Sequence, residues 1–163
     1  MGQTNLFLIV FVIIITMIAV VAGMFAYQSH DRQNSFDRMT AESMRVASDV
    51  LLWKEKSIRM GGGLEAPTLS VLTLDQLGYP KYDADNQYGG NRYGYFGFDS
   101  VATTTPLMNY YSTDHPDLLV QVRFYGRRNN CFQIRRAINT EGDGTGEWAW
   151  VDLIQRPDAC NGW

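Results

Sequence analysis

The stretch Leu6–Ala26, LFLIVFVIIITMIAVVAGMFA, carries no charge and no proline. Coiled as a helix at about 1.5 Å per residue, it spans about 31 Å, the thickness of a bilayer's hydrocarbon core. Leu, Ile, Phe and Val dominate it, and each favours insertion at the membrane centre by about 0.3–0.6 kcal/mol. With no polar face, such a helix belongs in lipid or in a core built of helices alone. A secretory signal is the rival expectation. Signals carry a basic leading region and a shorter apolar stretch. Here Met1, Gly2, Gln3, Thr4 and Asn5 precede the run without a charge, and the helical pattern continues beyond it. The segment is therefore expected to be retained. The missing basic residues raise the further expectation of a basic leader, ahead of Met1, that is removed.

The amphipathic continuation runs from Tyr27 to Arg59 without a helix breaker. Apolar positions recur at Phe36, Met39, Val46, Val50 and Trp53, with Ser43 in the missing place, alternating three and four residues apart. Met44, Ala47, Leu51 and Ile58 widen the stripe, and charges such as Glu42 and Arg45 fill the other face. One helix is expected from about residue 3 to about residue 59, with Gly23 as its weak point. Val46, Val50 and Trp53 are expected to pack on the rest of the chain. Gly61, Gly62 and Gly63 end the helix and suggest a loose joint.

Beyond the glycines the pattern weakens. One short strand is plausible near residues 68–74. Tyr82–Phe98, YDADNQYGGNRYGYFGF, is rich in turn residues and is expected to be a loop packed by its own aromatics. The strand signals are clearest further on, in Leu118–Tyr125, Asn130–Ile138 and Glu147–Ile154, joined by Gly126–Asn129 and by Thr140–Gly146. Short links between consecutive strands give an antiparallel meander. Phe132, Ile134 and Ile138 share the core face, and Cys131, Gln133 and Arg135 the other. The fold class is therefore α+β, a long N-terminal helix packed on a small antiparallel sheet. Four regions follow: apolar helix 1–27, amphipathic helix 28–60, variable loop region 61–117 and sheet 118–163.

The composition adds an aromatic excess, with 9 Tyr, 8 Phe and 4 Trp among 163 residues, and a net charge of −3 that is too small to imply a nucleic-acid partner. Of its 2 cysteines, Cys131 lies on a strand and Cys160 on the tail. Two cysteines allow a single intrachain pairing, and an exported domain can keep it. Closing that loop of about 30 residues stabilises the fold by about 3–4 kcal/mol in the chain-entropy model. With Cys131 on the outer face, the tail is expected to fold back over that face or the sheet edge.

This order of parts resembles a type IV pilin or a related pseudopilin. The shared features are an uninterrupted apolar helix, its amphipathic continuation, a variable loop, an antiparallel sheet and a disulfide-closed C-terminal loop. With Met1 as the mature first residue, the apolar run begins at position 6, where the family's run begins. The resemblance implies that Leu6, Phe7, Val10, Phe11, Ile14, Ile18, Val21 and Phe25 form a filament core, and that Met1 and Asn5 lie at the processing and docking end. Family members usually have Glu where Asn5 stands, thought to pair with a neighbour's N-terminal amine. Asn5 can only hydrogen-bond. The family's proline in the apolar half and its methylated first Phe are also missing. The implied function is a major pilin: a subunit that waits in the inner membrane and is polymerised by motor and platform proteins into an extracellular homopolymer. The alternatives are a pseudopilin or minor pilin of a secretion system, and a single-pass membrane-anchored periplasmic binding domain.

Catalytic residues, cofactors and metals are expected to be absent, and no enzyme is expected. Ser112, Asp114 and His115 match a triad in composition, but adjacency in sequence does not place a nucleophile on its base. Glu141, Asp143 and Glu147 surround a Gly-rich turn whose spacing fits no calcium loop. Arg123, Arg127, Arg128, Arg135 and Arg136 fall in a stretch without acids, and read either as a basic patch or as a solvated strand face. Acids gather at Asp83, Asp85, Glu141 and Asp143, so opposite signs on one subunit suit head-to-tail stacking.

Overall fold

The computed structural model describes residues 2–64, 69, 72–80, 88–91, 93–100, 106–125, 131–142 and 146–155. The helix α1 runs from Gly2 to Glu55, with its helical pattern unbroken through Gly23. Among the described residues six strands follow: β1 (Tyr88–Asn91), β2 (Gly94–Ser100), β3 (Leu107–Ser112), β4 (Leu118–Tyr125), β5 (Cys131–Asn139) and β6 (Trp148–Gln155). They form one 6-stranded sheet in the order β1-β2-β3-β4-β5-β6, with every pair antiparallel. The fold is α+β, as expected. The chain divides into two units, Met1–Asn34 and Ser35–Trp163.

The second unit has a core of its own. Phe36, Met39, Val46, Ala47, Val50 and Trp53 of α1 are buried with Phe96, Met108, Tyr110, Leu118, Val120, Val122, Phe124, Phe132 and Ile134 of the sheet. The three-and-four spacing of the helix thus meets the period of two in the strands. Val46 and Val50 are fully buried, Trp53 is 6% exposed, and Ser43, in the gap between Met39 and Val46, is buried. Ile138 packs at the margin of the core.

Several expectations need correction. The helix ends at Glu55, short of residue 59. The chain doubles back there: the N–H groups of Lys56 and Gly63 both donate to the Trp53 carbonyl, at 3.2 and 2.9 Å, and that of Leu64 donates to the Lys56 carbonyl at 3.1 Å. These bonds satisfy carbonyls that a helix end leaves open. The glycine run is consequently a tied turn, not a loose joint. Gly61 takes φ +75°, and Gly63 lies against the Trp53 ring so closely that a Cβ would sit 2.2 Å from it.

No strand is found among the described residues of 68–74. Leu69, Leu72 and Leu74 all enter the core, a spacing that alternation cannot produce, and Leu74–Leu77 forms a 3₁₀ turn. The region 61–117, read as variable loop, contains β1, β2 and β3. Its glycines misled because two of them serve packing. A Cβ at Gly90 would strike the Phe96 ring at 2.1 Å, and one at Gly94 would strike the Tyr111 carbonyl at 2.3 Å.

A polar tie crosses the helix–sheet interface. Arg136 of β5 lies at the same alternation as Phe132 and Ile134, on the helix side. Its Nε donates to Thr40 Oγ1 and its Nη2 to Asp37 Oδ1, both at 2.9 Å. Thr40 Oγ1 in turn donates to the Phe36 carbonyl at 2.7 Å. The Arg136 side chain is 12% exposed and that of Asp37 57%, so removing the arginine leaves an acid that water can solvate. Arg136→Ala is expected to lower unfolding stability by about 1–3 kcal/mol. Chemical denaturation of the chain in detergent would measure it.

Candidate functional site

The exposed half of α1 is the most unusual surface. Leu6, Phe7, Val10, Phe11, Ile14, Ile18, Val21 and Phe25 are 48–75% exposed, and the apolar residues between them are exposed too. They lie all round one helix. Thr16, the polar side chain within the run, donates its hydroxyl to the Val12 carbonyl at 2.8 Å. Every polar group here is thus satisfied inside the helix, which is the condition for a segment without water around it. By length and composition α1 can cross a membrane. Asn5 is exposed in the first turns, and Met1 lies outside the described residues.

Cys131 is buried at 4% exposure and is disulfide-bonded. Cys160, its expected partner, lies outside the described residues, as do Arg127, Arg128, Asp83, Asp85 and Asp143. The arginines that are described do not all share one face: by register Arg123 and Arg135 lie on one side of the sheet and Arg136 on the other. Arg136 is turned to the helix, while the Arg135 guanidinium lies 4.1 Å over the Trp150 ring on the other face of the sheet. Arg123 has its Nε buried with no hydrogen-bond partner.

The Ser112 hydroxyl accepts a hydrogen bond from the backbone N–H of His115 at 3.0 Å. That bond closes the turn after β3, in keeping with the turn reading of these residues. Among the described residues, no three His, Cys, Asp or Glu side chains are placed to hold a metal ion.

Sequence reasoning missed the flank of α1 that faces the β1–β2 side of the sheet. Arg38, Ala41, Glu42 and Arg45 line a groove there with Tyr93. The Arg38 guanidinium lies 4.6 Å above the Tyr93 ring, and that of Arg45 lies 5.5 Å above Tyr79. Arg45 also pairs with Glu42 at 2.9 Å, a pair that helical spacing had suggested. Tyr79 Oη donates to Asp49 Oδ2 at 2.8 Å. Their common signal was the helical spacing of 38, 41, 42, 45 and 49, but nothing local names a partner from residues 79 and 93.

Burial, then the bond to the Asp49 carboxylate, pushes the Tyr79 phenol above its ordinary value of 10.0. A proton held more tightly in the folded state stabilises the fold fully below that value, and the contribution declines as pH rises from there towards the raised folded-state value. Thermal stability is therefore expected to fall above about pH 10, and Tyr79→Phe to flatten part of that fall. Melting curves across alkaline pH would check it.

No protein-family model, no curated protein and no solved structure matches this chain.

Proposed function

We propose that this chain is a structural subunit of the type IV pilin kind, which polymerises into an extracellular filament through its apolar N-terminal helix. One observation carries the reading. The apolar side chains of Leu6 to Phe25 stay exposed along a helix whose later residues, Phe36 to Trp53, are buried in a core of their own. A folded head with a water-intolerant helix needs lipid at first. It needs other copies of that helix once it leaves the membrane. Side-by-side packing of apolar helices meets that need by van der Waals contact and exclusion of water.

In this reading the chain waits in the inner membrane and is extracted by a motor and platform. It ends as the main component of a surface fibre, with the Cys131–Cys160 disulfide closing its C-terminal loop. Its role is structural and not enzymatic, and its principal partner is itself. The test is to shear cells that make the chain and to identify the protein in the released fibres. Fibres made mainly of this chain support the reading. A chain found as membrane-bound monomer alone contradicts it and favours an anchored binding domain.

A further inference from the structure

Two surfaces of the head complement one another. The first is the groove lined by Arg38, Ala41, Glu42, Arg45 and Tyr93. Ala41 lies between two arginines on one helical face, so its small side chain leaves room where they project. Stacking on Tyr93 fixes the Arg38 guanidinium in one plane and leaves its N–H edge for a carboxylate. Arg45 is held by Glu42 and Tyr79; Glu42 offsets one of the two positive charges, and the lining keeps a net positive sign. Both cations are in place before any partner arrives, which reduces the entropy lost on binding.

The second surface is the β5–β6 hairpin. Asn139 Oδ1 accepts the N–H groups of Glu141 and Gly142, both at 3.0 Å, and Asn139 Nδ2 donates to the Gly146 carbonyl at 2.9 Å. The N–H and hydroxyl of Thr140 both donate to the Glu147 carbonyl, at 3.0 and 3.2 Å. These bonds hold the two ends of the connection, where Glu141 and Glu147 are both exposed, and the sequence between Thr140 and Glu147 contains no base.

The topology sets where the two surfaces lie. The meander brings the turn at Tyr93 and the 140–147 hairpin to the same end of the sheet, because β2 and β6 begin there and β5 ends there. The strand order puts them on opposite sides, about 19 Å apart at the usual strand spacing.

We propose that the Arg38–Arg45 groove receives the Glu141/Glu147 hairpin of a second copy of this chain. The inference rests on the polymer reading above and gives it a contact between heads. The contact is side by side, of opposite charge, and heterologous. Each joined pair keeps one free groove and one free hairpin, so the contact propagates instead of closing on a two-fold axis.

The test uses the full chain in the cells that make it. The double variant Arg38→Cys with Glu141→Cys is treated with a short bis-maleimide, and both the sheared fraction and the membranes are run on denaturing gels. A ladder of dimers, trimers and longer species is expected, with none from either single variant. As a second measurement, Arg38→Glu is expected to lower filament yield about tenfold. Adding Glu141→Arg and Glu147→Arg is expected to restore it to within about threefold. Filaments at wild-type yield with neither ladder nor charge effect overturn this contact and leave the polymer reading standing. A ladder in membranes of cells that make no filaments supports the contact and overturns the polymer reading. Absence of filaments, ladder and charge effect overturns both.

Discussion

Ile14→Asp is expected to reduce sheared filaments below detection while the head of the protein remains folded. Ile14 is 50% exposed on a single chain and lies within a segment that carries no charge. In a bundle of such helices a carboxylate meets no partner, and burying it unpaired costs several kcal/mol. The loss recurs at every subunit, so it is multiplied along the polymer. Insertion into the membrane also weakens, by about 2.5–3.5 kcal/mol for an acid at the centre of a spanning helix. Membrane-bound monomer must therefore be measured beside filament yield. Asn5→Ala is the control for position. If Asn5 hydrogen-bonds a neighbour's N-terminus, its removal costs about 0.5–1.5 kcal/mol per subunit, lowering yield without preventing insertion. Normal filaments from Ile14→Asp would end the packed-helix account.

Trp53→Ala is expected to destabilise the head by about 3–5 kcal/mol, a large share of the 5–15 kcal/mol typical of a domain. The ring is 6% exposed in the core shared by α1 and the sheet, and Gly63 lies flat against it. Truncation would open a cavity and leave the returning chain without the surface it lies on. Its indole Nε1 is buried without a hydrogen-bond partner, which offers a second comparison. Trp53→Phe keeps an aromatic ring and removes the orphaned donor, so it should stay within about 1.5 kcal/mol of the parent. Denaturant midpoints of the full chain in detergent would separate the two. An unchanged midpoint for Trp53→Ala would mean that the stripe does not hold the head.

How far the sequence was legible depended on the length over which a pattern repeats. The helix and its core stripe were readable because Phe36, Met39, Val46, Val50 and Trp53 recur over several turns. The strands β4, β5 and β6 were readable because strand-length runs alternate with turn residues. The strands β1 and β2 were not, since Gly90 and Gly94 look like turn signals until Phe96 and Tyr111 are seen against them. Arg136 is a different failure. Its parity with Phe132 and Ile134 already placed a cation on the core face, and a cation there requires a partner. Asp37 and Thr40 supply it, from a helix nearly a hundred residues earlier that no local pattern connects to the strand. The flank groove escaped for the same reason, because Tyr79 and Tyr93 reach the arginines of α1 only through the fold.

Helical reconstruction of sheared fibres from cells that make this chain tests the central claim most directly. The account predicts a fibre whose axis is built of Leu6–Ala26 segments, each in contact with the same segment of several neighbours, with the sheets on the outside. Fibres built of another protein, or a fibre of this chain with that segment facing solvent, would contradict it.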